Sequence, residues 1–397
     1  MSQQRRSLSR RQFMHRSAAA TATAAGVAAA SPALAQQSAA VAPPSVTPEQ
    51  QAEIEKTRSF NPEMEYRRLG KTGLWVSAVC IGGHWKRVDK ILGTTAGFGS
   101  CEGDVQAESN EMVAFRKNRR DVISRCLEVG INLIDFAGSA EPGVYAEAIK
   151  GRRDQIYVAW SMGGVELRHP EHRNAQKLVE IFEAGLLKTG LEYADCWRLM
   201  AFERGSRHTQ DEVDEMVEAL QIAKQKGLCR FTGFSTHDRR WASMLIETYP
   251  DLMQMCCTPY TARSKELKKD SFFDKVRQYD VGVLGIKPFA SNAVFQGDGT
   301  PTGEHVEADN QTARLTVRYI LMNPAITAPI PGLASPQQVD NMALAVKERR
   351  EMDLAVRSDS PAGVMPPTDQ QTLAAATERM WEDLGPGYRW LNHWRYV

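Results

Sequence analysis

From about residue 64 onward, short apolar runs alternate with amphipathic stretches. The apolar runs cover 76–81, 131–136, 156–160, 195–199, 230–234, 252–256, 281–286 and 326–330. Between them lie segments with helical spacing, among them 121–129, 175–188, 210–225, 264–278 and 311–321. A short continuous apolar run reads as a strand covered on both faces. Strands alternating with helices call for a parallel sheet with helical crossovers. Eight such units between residues 64 and 350 predict a (β/α)₈ TIM barrel, a fold of about 250 residues. A doubly wound open sheet is the alternative. No Gly-x-Gly-x-x-Gly follows the first run, which weighs against it.

Two short pieces precede the first unit. Residues 64–69 and 74–76 flank Gly70-Lys71-Thr72-Gly73, a hairpin signal. A hairpin there would close the bottom of the barrel. Residues 351–397 form a C-terminal extension ending in the aromatic-dense Tyr388-Arg389-Trp390-Leu391-Asn392-His393-Trp394-Arg395-Tyr396. Two roles are open for it: a satellite core packed over the barrel, or a cover for the mouth or a subunit contact.

The N-terminus differs from the body. Residues 1–35 hold five arginines and no acid, which leaves 44 basic and 48 acidic residues in the rest, a net charge of −4. Ser9-Arg10-Arg11-Gln12-Phe13-Met14 has the form of a twin-arginine export motif. An alanine-rich run over 18–30 and the small-x-small site Ala33-Leu34-Ala35 follow it in order. The sequence therefore predicts a signal peptide over 1–35, read by the twin-arginine export machinery. A linker over 36–63 follows, rich in Ala, Pro, Gln and Glu. The mature protein would be periplasmic or otherwise extracytoplasmic.

Of the 397 residues 42% are apolar and 24% charged, the composition of a folded globular chain. The net charge of +1 gives no field that would favour nucleic acid. No run of 18 large apolar residues predicts a permanent membrane span. Seven cysteines at 80, 101, 126, 196, 229, 256 and 257 form no Cys-x-x-Cys pair, so no metal site is expected. Most sit in apolar runs as small core residues. Cys101, in a Gly-rich polar segment, is the candidate exposed thiol.

Four stretches carry a resemblance. They are Met64-Glu65-Tyr66-Arg67-Arg68-Leu69-Gly70-Lys71-Thr72-Gly73-Leu74, Glu128-Val129-Gly130-Ile131-Asn132-Leu133-Ile134-Asp135, Gly233-Phe234-Ser235-Thr236-His237 and Ile330-Pro331-Gly332-Leu333-Ala334-Ser335-Pro336. In this order, across 64–350, they resemble the aldo-keto reductase family. The resemblance implies a nicotinamide-dependent carbonyl reductase or alcohol dehydrogenase, with its site at the C-terminal mouth of the barrel. The family's proton relay uses a tyrosine, a lysine, a histidine and an aspartate, because a hydroxyl must give a proton to the carbonyl oxygen as hydride arrives. Asp135 matches the aspartate. The tyrosine position falls on Ala140, the lysine on Ser161 and the histidine on Met200. Tyr145, five residues beyond Ala140, is the one nearby replacement for the tyrosine.

The cofactor positions survive better. By resemblance, Ser235, Thr236 and Gln254 would hold the nicotinamide carboxamide. Ile286 stands where many members stack an aromatic on the nicotinamide ring. Lys287, Phe289 and Ser291, after the seventh run, would meet the diphosphate. Ser335, Gln338 and Asn341 would serve the adenosine end. Residues 330–341 contain no Lys or Arg and do contain Asp340, which favours NAD over NADP. Other ionisable groups predicted at the mouth are His84, Glu141, Glu203, Arg204 and His237. The segment 86–110 is a long insertion of the kind that forms a lid or binding loop.

Three functions remain open on these residues. The first is an exported oxidoreductase acting on a small molecule, a sugar or polyol, with an altered proton relay. The second is a binding module that keeps the barrel without catalysis. The third is a non-redox lyase or epimerase working through Asp135, Glu203 and His237.

Overall fold

A two-stranded antiparallel hairpin, β1 (Tyr66–Arg68) with β2 (Trp75–Ser77), leads into eight parallel strands. The computed structural model describes residues 46–100, 109–138, 140–359 and 365–383. The eight are β3 (Ile81–Gly82), β4 (Leu133–Phe136), β5 (Tyr157–Trp160), β6 (Ala194–Met200), β7 (Cys229–Ser235), β8 (Met255–Pro259), β9 (Gly282–Ile286) and β10 (Ala328–Pro329). They pair in chain order, each with the next. Closure comes from the ends. The Cys80 amide donates to the Pro329 carbonyl at 3.0 Å and Gly82 to Pro331 at 2.9 Å, with a parallel bridge between Gly82 and Gly332. The fold is the (β/α)₈ barrel that the eight apolar runs predict.

Alternate side chains divide the strands between two cores. Leu133, Tyr157, Cys196, Met255 and Leu284 face the barrel interior, and Leu69, Leu74 and Val76 of the hairpin join them from below. The turn that carries them needs Gly70, at φ +50, because a Cβ there would meet the Gly282 amide at 2.1 Å. The hairpin thus plugs the bottom. Ile134, Phe136, Trp160, Trp197 and Phe234 face outward and pack under the helices. Each such buried side chain contributes about 1.5–3 kcal/mol.

The crossover helices are α3 (Asn110–Glu128), α4 (Glu141–Ala148), α5 (Ala175–Thr189), α6 (Gln210–Gln225), α7 (Arg239–Thr248), α8 (Phe272–Gln278), α9 (Val306–Leu321) and α10 (Pro336–Asp359). Two shorter helices, α1 (Pro48–Ile54) and α2 (Val88–Leu92), precede them, and α11 (Pro367–Asp383) follows. The helix predicted over 264–278 forms only from Phe272, where Ser271 and Asp274 make a capping box.

The segment read as a linker is docked from Thr47 onward. Thr47 and Gln50 form a capping box on α1. Arg58 then donates to the Ile156 carbonyl at 2.8 Å and to Asp195 at 3.2 Å, at the bottom of the barrel. Buried Asp195 also takes Arg153 and Arg230, both at 2.8 Å. A paired buried carboxylate ties the segment down, which composition alone does not reveal. In the C-terminal extension, α11 rests on α9: Met365 and Leu373 pack with Leu315 and Ala262, and Arg318 reaches Asp369 at 2.9 Å. This small cluster lies over the outer face of α9. The predicted signal peptide, Cys101 and the aromatic tail lie outside the described residues. The other six cysteines are buried free thiols. Among the described residues, no helix is long and apolar enough to cross a membrane.

Candidate active site

Three groups stand at the C-terminal ends of β3 and β4. Asp135, on the inward face of β4, is buried and takes a two-pronged contact from Arg198: Nε to Oδ1 and Nη2 to Oδ2, both at 2.5 Å. Arg198 comes from β6, two strands away. Burial alone would lower its pKa, but the Asp135 carboxylate outweighs burial and raises it. The pair is therefore ionic, in the geometry that suits a guanidinium and a carboxylate.

The second feature is a histidine on a buried carboxylate. His84 follows β3 with φ +53, a left-handed conformation costing a side-chain-bearing residue about 1–2 kcal/mol. Its Nδ1 lies 2.7 Å from Glu141 Oε1, which also accepts the His84 amide at 2.7 Å. Glu141 Oε2 accepts the amides of Ala137 and Gly138 at 2.6 and 2.8 Å. Burial would raise the Glu141 pKa. The His84 bond and charge, with the two loop amides, overcome it and bring the carboxyl down to about 2. An ionised carboxylate on Nδ1 makes that nitrogen the donor, so neutral His84 presents Nε2 as an acceptor. The ring is 54% exposed, and among the described residues Nε2 has no hydrogen-bond partner. Gly83 makes the approach possible: a Cβ there would lie 1.9 Å from the Glu141 carboxylate.

The other mouth residues have other duties. The Tyr145 hydroxyl is buried on the Gly82 carbonyl at 2.9 Å, its ring stacked on Phe136, so it does not replace the missing tyrosine. His237 is buried, and its pKa falls well below the usual histidine value. Burial is the main cause, with Lys287, Arg168 and Arg239 adding repulsion. Its Nδ1 stands 4.0 Å from the half-exposed Glu203. The structure does not join Asp135, Glu203 and His237 into one hydrogen-bonded unit: Asp135 is held by Arg198, and His237 stands 4.0 Å from Glu203.

The nicotinamide positions divide in the same way. Ser235 ends β7 on its inward face, buried, level with Cys257 of β8. The Thr236 hydroxyl is bound within its loop, donating to the Phe202 carbonyl and accepting the Asp238 amide, both at 3.1 Å. Gln254 lies below the start of β8, where its carbonyl oxygen accepts the Thr232 amide at 3.2 Å and Lys224 Nζ at 3.3 Å. It does not reach the mouth. The reason is register: neighbours on a strand face opposite sides, and Met255 and Cys257 are the inward ones.

A cleft of about 280 Å³ opens between the loops after β3, β9 and β10. Phe289, Ser335, Gln338 and Asn341 all line it. Ser335 caps α10 through the Gln338 amide, and Asn341 accepts from Arg314 at 2.7 Å. Lys86 and Arg87 line the opposite wall, where Lys86 bonds the Ser291 hydroxyl. Arg87 lies over the Phe295 ring at 5.3 Å. Burial lowers its pKa, with Asp309 and Asp298 pulling the other way from a distance. Among the described residues, no carboxylate lies within ion-pair distance of Arg87. Asp340 pairs with Arg125 at 2.5 Å and does not line the cleft. The loop after β9 is strained: Lys287, Ala290, Ser291 and Asn292 have φ of 56, 46, 60 and 73. Four left-handed non-glycine residues so close together concentrate backbone strain in this loop. Apolar walls and a half-buried cation without a counter-ion fit a dinucleotide.

The described part of the predicted lid is packed down. The Trp85 indole donates to the Phe98 carbonyl at 2.7 Å, and Phe98 stacks on Phe115 at 4.4 Å.

Two residues of this site were not singled out by sequence, Arg198 and Arg87. The signal for Arg198 was a charge inside an apolar strand, Cys196-Trp197-Arg198-Leu199.

Relatives agree with this architecture. The chain is 24% identical over 320 residues to L-galactose dehydrogenase of Arabidopsis thaliana, covering 74% of this chain and 91% of that protein. It is 22% identical over 261 residues to the oxidoreductase YqkF of Bacillus subtilis, covering 58% and 82%. The aldo-keto reductase AKR11C1 from Bacillus halodurans, in its holo form, superposes with a TM-score of 0.53 at 18% identity, covering 79% of this chain and 96% of that one. At that identity the likeness is one of fold. The sequence model of the Aldo/keto reductase family matches residues 101–353, most of the barrel. On that match the chain belongs to the aldo-keto reductase family of oxidoreductases, which use NAD(P)H.

Proposed function

We propose that this chain is an NAD(P)-dependent alcohol dehydrogenase or carbonyl reductase in which His84, held by Glu141, replaces the family's tyrosine as proton carrier. The observation that carries the reading is the 2.7 Å contact of His84 Nδ1 with a buried, ionised Glu141. A bound nicotinamide dinucleotide supplies hydride exchange with a carbon centre. The chain's own residues do the rest. Arg87 and the strained loop 287–292 would hold the phosphates, Ser335, Gln338 and Asn341 the adenosine, and Ser235 the carboxamide. In alcohol oxidation His84 Nε2 takes the hydroxyl proton, and Glu141 stabilises the imidazolium that forms. In carbonyl reduction the proton returns from Nε2. A barrel without catalysis has no need of a strained histidine on a buried carboxylate.

The name of the relative from Arabidopsis thaliana points to a sugar or polyol as substrate. Arg87 gives the cleft a cation that the loop after β10 lacks, so the preference for NAD rests on weaker ground than the sequence suggested, and NADP is equally served. The twin-arginine leader supports export of the folded protein outside the cytoplasm. Arg10→Lys with Arg11→Lys should trap it inside.

The test is turnover of a panel of sugars, polyols and small carbonyl compounds with NAD(H) and NADP(H). The wild type should turn over at least one, and His84→Gln should lose at least 100-fold in kcat. A His84→Gln variant with full activity would overturn the relay.

A further inference from the structure

One donor beneath the mouth has no use in the protein. Arg198 gives Nε and Nη2 to Asp135, and Nη2 also approaches the Phe136 carbonyl at 3.3 Å. Nη1 is buried and, among the described residues, has no hydrogen-bond partner. A buried donor in that state carries an uncompensated desolvation penalty, larger on a charged group. Native structures seldom keep one without a role.

Two neighbours explain how the guanidinium came to lie there and what would uncover it. Ser161 ends the inward face of β5, the strand between those of Asp135 and Arg198. A lysine at 161 would fill the path that Arg198 takes across β5 to Asp135. Serine, the smaller side chain, leaves that path open. Met200 is two residues beyond Arg198 on β6, hence on the same face and nearer the mouth. It is half-buried with its sulfur against Gly163, and its unbranched thioether adapts readily to a new neighbour. Arg198 bears on Asp135 by contact, and His84 lies two residues beyond Gly82, the β3 residue level with Asp135.

We propose that Arg198 Nη1 is the donor for the substrate's reacting oxygen, reached when Met200 swings aside, and that it stabilises the negative charge developing on that oxygen. The proposal rests on the redox reading above. In reduction the carbonyl carbon gains a hydride from the reduced nicotinamide, which is oxidised. The carbonyl oxygen gains the proton of His84 Nε2, leaving a neutral imidazole. Arg198 exchanges no proton. Its hydrogen bond strengthens as negative charge develops on the oxygen, so it favours the transition state over the neutral carbonyl. The substrate class follows: a neutral carbonyl or alcohol whose oxygen reaches the floor of the barrel.

Arg198→Lys keeps a cation for Asp135 but withdraws the second arm of the fork, and Arg198→Met removes both. In whichever variant folds, kcat should fall by about 10²–10³-fold, the usual effect of losing one such donor. KM should stay within threefold. A rise in KM with kcat preserved, or an unchanged kcat, would overturn the proposal. His84→Gln separates the two ideas. If it retains full activity while Arg198→Lys loses kcat, the relay is wrong and the oxygen site stands. If no substrate is found, acetate serves as an oxyanion probe on protein labelled with ¹⁵N-arginine. The side-chain resonances that vanish in Arg198→Lys should shift on adding acetate to the wild type. Resonances unmoved at high millimolar acetate would contradict the assignment.

Discussion

Replacing Glu141 by glutamine keeps the shape of the side chain and removes its charge. Glutamine therefore imitates the protonated acid. The folded protein holds this carboxyl at about 2, against an ordinary value of 4.5. That gap corresponds to about 3 kcal/mol of stability at pH 7. The sign follows from the direction. A carboxyl lowered by folding stabilises fully above its ordinary value, and the contribution is lost as pH falls through about 2. Less than half should remain at pH 3. Urea unfolding of wild type and Glu141→Gln at pH 7 and pH 3 reads the difference. The wild type should be more stable by about 3 kcal/mol at pH 7, and the two should converge towards acid. A gap of equal size at both pH values would refute the charge argument. So would a gap below about 1 kcal/mol at pH 7, the net value of an ordinary hydrogen bond.

Three further outcomes follow from the same geometry. Asp135→Asn leaves the Arg198 guanidinium buried without its counter-charge, and denaturant unfolding should show a loss of about 3–5 kcal/mol. Gly83→Ala places a methyl on the Glu141 carboxylate, so it should abolish turnover, with a measurable fall in thermal midpoint. Gln254→Ala should leave NADH affinity within twofold while costing about 1 kcal/mol, because its partners are Lys224 and the Thr232 amide. A tenfold loss of NADH affinity in that variant would put the glutamine back at the mouth.

The barrel is legible in the sequence because a parallel strand is covered on both faces. Runs such as 131–136 and 281–286 then stand out as continuous apolar stretches whatever their register. Register is what the runs do not carry. Gln254 and Met255 differ by one position, and one position separates the barrel wall from its interior. Pairing across the fold is equally hidden. His84 and Glu141 are both readable as mouth groups, yet 57 residues separate them, and only the closeness of β3 and β4 makes them a dyad. Arg198 and Asp135 are 63 residues apart and meet across an intervening strand, over a serine where the family pattern has a lysine. The cleft is a middle case. Phe289, Ser335, Gln338 and Asn341 follow from the resemblance, whereas Arg87 enters from a loop that no cofactor motif covers.

The account stands most directly on nicotinamide binding by the folded chain. Titration of the wild-type protein with NADH and NADPH, followed by the change in nicotinamide fluorescence, measures it. A saturable change at micromolar concentration for at least one of them, weakened in Arg87→Met, is the predicted result. No binding of either at millimolar concentration would contradict the assignment of redox chemistry to this barrel.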